Sequence, residues 1–427
     1  MMYHFKKQFI LTLLVFLSVG LQAAYILIPM DNSQKNHLKA YGIAYWTIER
    51  DQSVDWLLNY RGGSFATVHN KQVEEELIIR GVSYDVIANA QYNLILSEIA
   101  DPEANMDMAV MEKAPKVAVY SPKNKQPWDD AVTLVLTYAE IPYEVVYDEE
   151  IINGELPKYD WLHLHHEDFT GQYGKFWASY KNAAWFREYV RFNEENAAKL
   201  GFQKVSDLKL AVANEIKNFV AGGGFMFAKC AATDSYDIAL AAEQVDICAE
   251  MFDGDPADPN AQSALNYLNG FAFKDYTLSE NPAEYEFSSI DATQEHHRYV
   301  LKNGEENDMF TLFEFSAKWD IVPTMLTQNH ERVVKGFMGQ TTAFRRDNIR
   351  SDVLIMGESK FLNSVKYIHG EFGNGTWTFY GGHDPEDHTH RVNDPPTDLN
   401  LYPNSPGYRL ILNNILFPAA KKKKRKT

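Results

Sequence analysis

The chain has 427 residues, 45% of them hydrophobic and 13% aromatic, which excludes a disordered or fibrous protein and provides for a sizeable buried interior. A formal charge of −17 argues against nucleic acid as a partner, and only two cysteines exclude a disulfide framework. The length suits one large or two fused α/β units.

At the start, Lys6 and Lys7 precede an apolar run over 9–21 and then Ala23-Ala24, the pattern of a secretory signal peptide over residues 1–24. The run is shorter than the ~20 residues of a spanning helix. The expectation is an exported chain, periplasmic or extracellular, with no stable membrane span once the signal is cleaved. An N-terminal α/β segment over 25–100 follows. It reads as strand 25–30, a helix capped by Ser33 and running to 48, and strand 54–58 entering the turn Arg61-Gly62-Gly63, which could hold an anion on its amides. Helix 72–79, strand 84–87 and helix 90–99 complete it. Alternation at this spacing predicts a parallel sheet with helices on its faces. The acidic, Met-rich stretch 101–114 reads as a linker.

A second alternating unit is expected over 115–418, with strand 117–120, helix 129–139, strand 143–147 and strand 161–165. The dense aromatics of 170–186, among them Tyr173, Phe176, Trp177 and Trp185, read as a loop or lid. Helices 184–200 and 205–220 then deliver the chain to Gly222-Gly223-Gly224. After strand 225–228, Cys230 falls where strand gives way to a helix starting near Asp234. In outline this is a nucleophile elbow, which lifts its reactive atom off the sheet and aims helix-start amides at whatever it attacks. Cys230 also reads as a small buried hydrophobe, or as half of a disulfide with Cys248.

The loop 251–260 carries Asp253, Asp255 and Asp258 and reads as a solvated turn rather than a calcium loop. Residues 271–347 alternate like antiparallel strands joined by long loops. Strands 366–369 and 377–380 flank Gly373-Asn374-Gly375, a hairpin signal. The second strand empties into Gly381-Gly382-His383-Asp384-Pro385-Glu386-Asp387, helix 408–416 closes the fold, and 419–427 is a basic tail.

A cysteine nucleophile needs a base that lowers its pKa, and that base needs an acidic orienter. His383, at a strand end and followed by Asp384, Glu386 and Asp387, meets the description, and parallel strand ends gather at one edge of a sheet.

Five stretches together resemble the class I glutamine amidotransferase-like superfamily, in particular its ThuA-like and biotin-ligase-N-terminal-like branches. They are KVAVYSP, PKYDWLHLHHEDF, GGGFMFAKCA, GNGTWTFYGGHDPED and LILNNILF. The resemblance implies a flavodoxin-like parallel sheet and hydrolysis of an amide-like bond. It implies Cys230 as nucleophile, His383 as base, Glu386 or Asp384 as orienter, and an oxyanion hole from Ala231 and the loop His165-His166-Glu167-Asp168, with no cofactor required. The chain departs from the superfamily pattern in having Lys229 and Ala231 beside the cysteine and one extra residue between His383 and Glu386. The whole chain is also similar to exported bacterial proteins often labelled "asparagine synthetase B", although it lacks the Ser-Gly-Gly-x-Asp-Ser loop that the label's chemistry needs.

Two other readings remain open. A catalytically silent fold would use the aromatic loop to hold a carbohydrate or peptide ligand. A divalent metal such as zinc or iron would take ligands from His163 and His165 on one strand face, with His166, Glu167 and Asp168 beside them, and from His383, His388 and His390. The three strand ends at His165, Cys230 and His383 are expected to share one pocket whichever chemistry it performs.

Overall fold

The computed structural model describes residues 23–123, 126–320, 331–388 and 391–420, so the expected signal peptide up to residue 22, His390 and the basic residues 421–427 lie outside it. The architecture is mixed α/β, built on two sheets.

The first sheet is formed by β1 (Ala23–Ile28), β2 (Val54–Leu58), β3 (Ser64–Val68), β4 (Asp85–Ala88) and β5 (Asp107–Met111), in the order β4-β1-β3-β2-β5. Every pairing in it is antiparallel, unlike the parallel arrangement expected from the alternation of strands and helices. The reason is the turn at 59–63. Asn59, Arg61, Gly62 and Gly63 all take positive φ, which reverses the chain at once into β3 and makes a hairpin with β2. The Arg61 guanidinium pairs with Asp31 at 2.7 Å and Asp85 at 3.1 Å. The stretch expected to be a linker supplies edge strand β5, whose Ala109 and Met111 point into the core while Met108 and Val110 are half-exposed.

The helix His37–Glu49 packs this sheet against the rest of the molecule. Its cap is Asn36 rather than Ser33, and the Asn36 carboxamide oxygen accepts from Lys39 N at 2.9 Å. Asn36→Ala is expected to cost about 1 kcal/mol of stability, read as a small shift of the urea midpoint with an unchanged slope.

The second sheet joins β6 (Val117–Tyr120), β7 (Glu144–Val146), β8 (Trp161–Leu164), β9 (Phe225–Lys229), β10 (Met309–Leu312), β11 (Val333–Lys335), β13 (Leu354–Ser359), β14 (Ser364–Phe372) and β15 (Gly375–Tyr380), with the short β12 (Phe344–Arg345) beside β14. Strands β7-β6-β8-β9-β15 run parallel, and β14, β13, β10 and β11 continue the sheet antiparallel. The two-residue turn between β14 and β15 has Gly373 at φ 61.

One face of the parallel part is covered by the helices Ala131–Ala139 and Pro406–Leu416, together with residues of the first sheet. The other face is covered by Ala184–Lys199, Val205–Ala221 and Ala231–Ala241. Both faces are therefore buried, which is why these strands read as continuous apolar runs. The last helix also ties the two sheets together. Its Arg409 is fully buried and donates to the Tyr41 hydroxyl at 2.9 Å and to the carbonyls of Met30 at 3.1 Å and Gly62. Among the described residues, no helix is long and apolar enough to cross a membrane.

Candidate functional site

Parallel pairing of β8, β9 and β15 brings their carboxyl ends to one edge, with Leu164 beside Ala228 and Tyr380 beside Lys229. Cys230 follows β9 directly and caps the helix Ala231–Ala241, which starts three residues earlier than the sequence suggested. Its backbone sits at φ 52, ψ −138, a region that side chains other than glycine rarely enter. This sharp turn places the sulfur at the helix start, where it accepts the N–H groups of Ala231 and Gln340.

Both Cys230 and Cys248 are free thiols, so no bridge joins them, and the Cys248 thiol donates to the Thr170 carbonyl at 3.1 Å. Burial pushes the Cys230 thiol up to about 12 despite those two amides, the reverse of the lowered pKa expected at an elbow. Only 4% of Cys230 is exposed, and the helix-start amides do not offset the loss of water.

A cavity of about 830 Å³ opens over Cys230, and its walls include His166, His383 and His388. His166 and His383 meet there, their Nε2 atoms 3.1 Å apart and lying 2.7 and 3.1 Å from the Asp129 carbonyl. The His165 ring stacks on His166 at 3.8 Å and lies 4.7 Å from His383. Asp130 stands behind this group. One of its carboxylate oxygens caps the helix through Val132 N and Thr133 N, and the other lies 3.0 Å from both His163 and His165. Burial works to raise Asp130, but the two imidazoles hold it well below the usual carboxylate range. Burial lowers His165 to about 4, so it is neutral at physiological pH.

The acidic residues of the two loops diverge. Glu167 turns toward the opposite face, where it accepts from the Tyr147 hydroxyl at 3.2 Å and sits 3.8 Å from Lys209; burial raises it to about 7. Asp168 accepts from Thr170 N, Thr170 Oγ1 and Gly174 N and so builds the turn that begins the aromatic loop. The His165 carbonyl takes the Ala232 amide at 3.0 Å, joining this loop to the elbow helix. The physical reason for the divergence is that the chain leaves β8 in a bend, and strand alternation no longer fixes where side chains point.

Beyond β15, Asp384 accepts from Glu386 N at 2.8 Å and lies against the Tyr408 hydroxyl. Glu386 is half-buried and bonded to Ser405. The Asp129 carboxyl is raised to about 6 by burial and by the nearby charges of Asp384, Asp130 and Asp387. His388 is 3.3 Å from Asp308, which also holds His296 at 3.2 Å. The carboxylates of Asp253 and Asp255 pair with Lys204, as does Asp246.

Of the expected lid, Phe176 and Trp185 line the cavity, whereas Tyr173 is buried in the core and Trp177 carries Lys181 over its ring at 4.1 Å. The loop is anchored where Lys175 donates to the carbonyls of Ser279 at 3.0 Å and Asn281 at 3.3 Å. Sequence reasoning missed Trp128, Tyr285, Gln340 and Arg391, which reach the cavity from irregular segments. The Asp129-Asp130 pair was legible only as the start of a helix. Lys229, next to the cysteine in the chain, is fully buried. Its amine makes no hydrogen bond among the described residues and lies 4.0 Å from the centre of the Tyr380 ring.

No known family model matches the chain, and no curated protein matches it. Among solved structures, the cytoplasmic protein STM3548 from Salmonella typhimurium is similar over 72% of this chain and 100% of its own, at 10% identity and a TM-score of 0.33. Gan42B, a GH42 beta-galactosidase from G. stearothermophilus, is similar over 64% of this chain and 28% of its own, at 11% identity and a TM-score of 0.25. Likeness at this level carries no argument about function.

Proposed function

We propose that the chain is an exported hydrolase of the class I glutamine amidotransferase-like type that cleaves an amide-like bond through Cys230. The observation that carries this reading is the backbone of Cys230 at φ 52, ψ −138, between β9 and a helix start, under a cavity that His383 also lines. Strain of this kind costs roughly 1–3 kcal/mol and persists where a site needs its geometry. The parallel strand order β7-β6-β8-β9-β15 supports the fold assignment, because in chain order it is the 2-1-3-4-5 arrangement of flavodoxin-like sheets, with the site outside the strand ends.

With the free thiol held protonated by burial, attack and proton transfer occur together. The sulfur forms a bond to the carbonyl carbon as its proton passes to His383. The Ala231 amide, which bonds the sulfur in the resting site, is the helix-start donor that meets the charge developing on oxygen, since the Ala232 amide is held by the His165 carbonyl. The C–N bond then breaks, His383 returns the proton to the leaving nitrogen, and water hydrolyses the thioester to the acid and the free thiol. His166, 3.1 Å from His383, positions that base.

The test is incubation with a panel of p-nitroanilides, followed by mass spectrometry of the peptide containing Cys230. An acyl adduct on Cys230 that hydroxylamine removes is the expected result. Turnover without any adduct, retained in Cys230→Ala, overturns it.

A second reading is favoured by the meeting of His165, His166 and His383, whose ligand atoms all lie within 4.8 Å of one another. Zinc bonded at ~2.0–2.1 Å to tetrahedral ligands holds them about 3.3 Å apart, close to the 3.1 Å between His166 and His383. In that case metal analysis finds one equivalent of zinc. Turnover is then lost with 1,10-phenanthroline and in His166→Ala, while Cys230→Ala keeps it.

A further inference from the structure

The cavity over Cys230 differs in charge from the protein around it. Roughly one residue in seven of the chain is Asp or Glu, yet none of the described residues lining this cavity is acidic. Arg391 and His297 stand on its wall with His166, His383 and His388. In a chain of −17 charge, a concave site without carboxylates and with an arginine on its wall is attractive to an anion.

The same cavity has an aromatic side. Trp128, Phe176, Trp185 and Tyr285 line it. Phe176 lies at the centre of this group, 5.5 Å from Trp128, 5.7 Å from Trp185 and 5.8 Å from Tyr285 between ring centres. These rings are half-buried or exposed, which leaves faces open to a ligand. Trp and Tyr faces stack on a second flat, weakly polar face, either an aromatic ring or the C–H face of a pyranose. The volume, about 830 Å³, lies toward the upper end of the range for small-molecule sites and holds a ring and an acidic group at the same time.

We infer that this site takes an amide that bears both a flat ring and a carboxylate, the ring on the aromatic wall and the carboxylate at Arg391. The inference rests on the hydrolase reading only for the amide; the ring and the carboxylate follow from the cavity alone. Two sources share this chemistry: an N-aroyl amino acid and an acidic acetamido sugar.

Binding to the full-length mature protein is measured by quenching of tryptophan fluorescence and by calorimetry with four probes. N-benzoylglycine has ring, amide and carboxylate, N-benzoylglycinamide lacks the charge, N-acetylglycine lacks the ring, and N-acetylmuramic acid replaces the arene by a pyranose. At least one of the two ring-bearing acids is expected to bind, and the better of the two identifies the source. N-benzoylglycine is expected to bind roughly tenfold more tightly than its neutral amide, as one charge-assisted contact predicts. Arg391→Gln is expected to remove that difference, while Trp185→Ala weakens both benzoyl probes equally. Should the pyranose be the ligand, N-acetylmuramic acid shows the same loss in Arg391→Gln. Arg391 is exposed, so its replacement leaves the fold intact. Equal affinity for N-benzoylglycine and its amide together with an unchanged affinity for N-acetylmuramic acid in Arg391→Gln overturns the inference, as does absence of binding by all four probes. Binding that behaves as expected while no p-nitroanilide is turned over would leave this inference standing and remove the hydrolase reading.

Discussion

Cys230→Ala is expected to lower amide turnover by a factor on the order of 10³ or more, because removing the nucleophile leaves only binding and the Ala231 amide of the helix start. Turnover is compared at saturating substrate, and a loss below about tenfold would show that another group attacks. Stability provides a second measurement on the same position. Alanine keeps the Cβ that makes φ 52, ψ −138 unfavourable, whereas glycine removes it. Cys230→Gly is therefore expected to unfold at a higher denaturant concentration than Cys230→Ala, by about 1 kcal/mol or more. A site selected only for packing would show the opposite order, since glycine leaves the larger void.

The second large effect is a gain. Lys229→Met is expected to stabilise the protein at pH 7 by on the order of 3 kcal/mol. Burial lowers the Lys229 amine to about 7, and Lys366 adds to the effect, while Asp384, Cys230 and Asp130 oppose it. The sign follows from the two states. Between pH 7 and the unfolded value near 10.5, the unfolded chain binds a proton that the folded chain does not, so the stability of the natural protein rises with pH across that window. Methionine fills the same space without an amine to desolvate. The advantage of Lys229→Met is accordingly largest at and below pH 7 and shrinks toward zero as pH approaches 10.5. Chemical denaturation at pH 7 and pH 9.5 checks it, and an advantage independent of pH would show that packing, not charge, is responsible.

Several parts of this arrangement were legible in the residues. Three glycines before Phe225, then an apolar strand and a cysteine, marked the position at which β9 gives way to a helix. The Gly373-Asn374-Gly375 turn marked the hairpin that carries the chain to His383. Strand direction in the first sheet was not legible, because alternation of strands and helices encodes spacing and not polarity; the positive φ values at 59–63 decide it. Strand β5 was concealed by an acidic, Met-rich composition, although Ala109 and Met111 do alternate inward. The aromatic wall drew Trp128 and Tyr285 from segments without period, and no pattern within either segment points to the cavity they share. The directions of Glu167 and Asp168 were not legible, because they follow a bend, where the neighbouring strand no longer dictates direction.

The buried Arg409 has a consequence for biosynthesis. Tyr41 and Met30 emerge from the ribosome early, and the guanidinium they bond lies 368 and 379 positions later. Until the helix Pro406–Leu416 is made, the first sheet lacks both its polar partner and the apolar face that covers the helix His37–Glu49. Contacts of such long sequence separation form last and make folding slow. Nascent chains stopped at Ser405 are therefore expected to leave residues 23–111 open to limited proteolysis, and chains extended to Ala420 to protect them. Protection already complete at Ser405 would show that the first sheet matures without its distant partner.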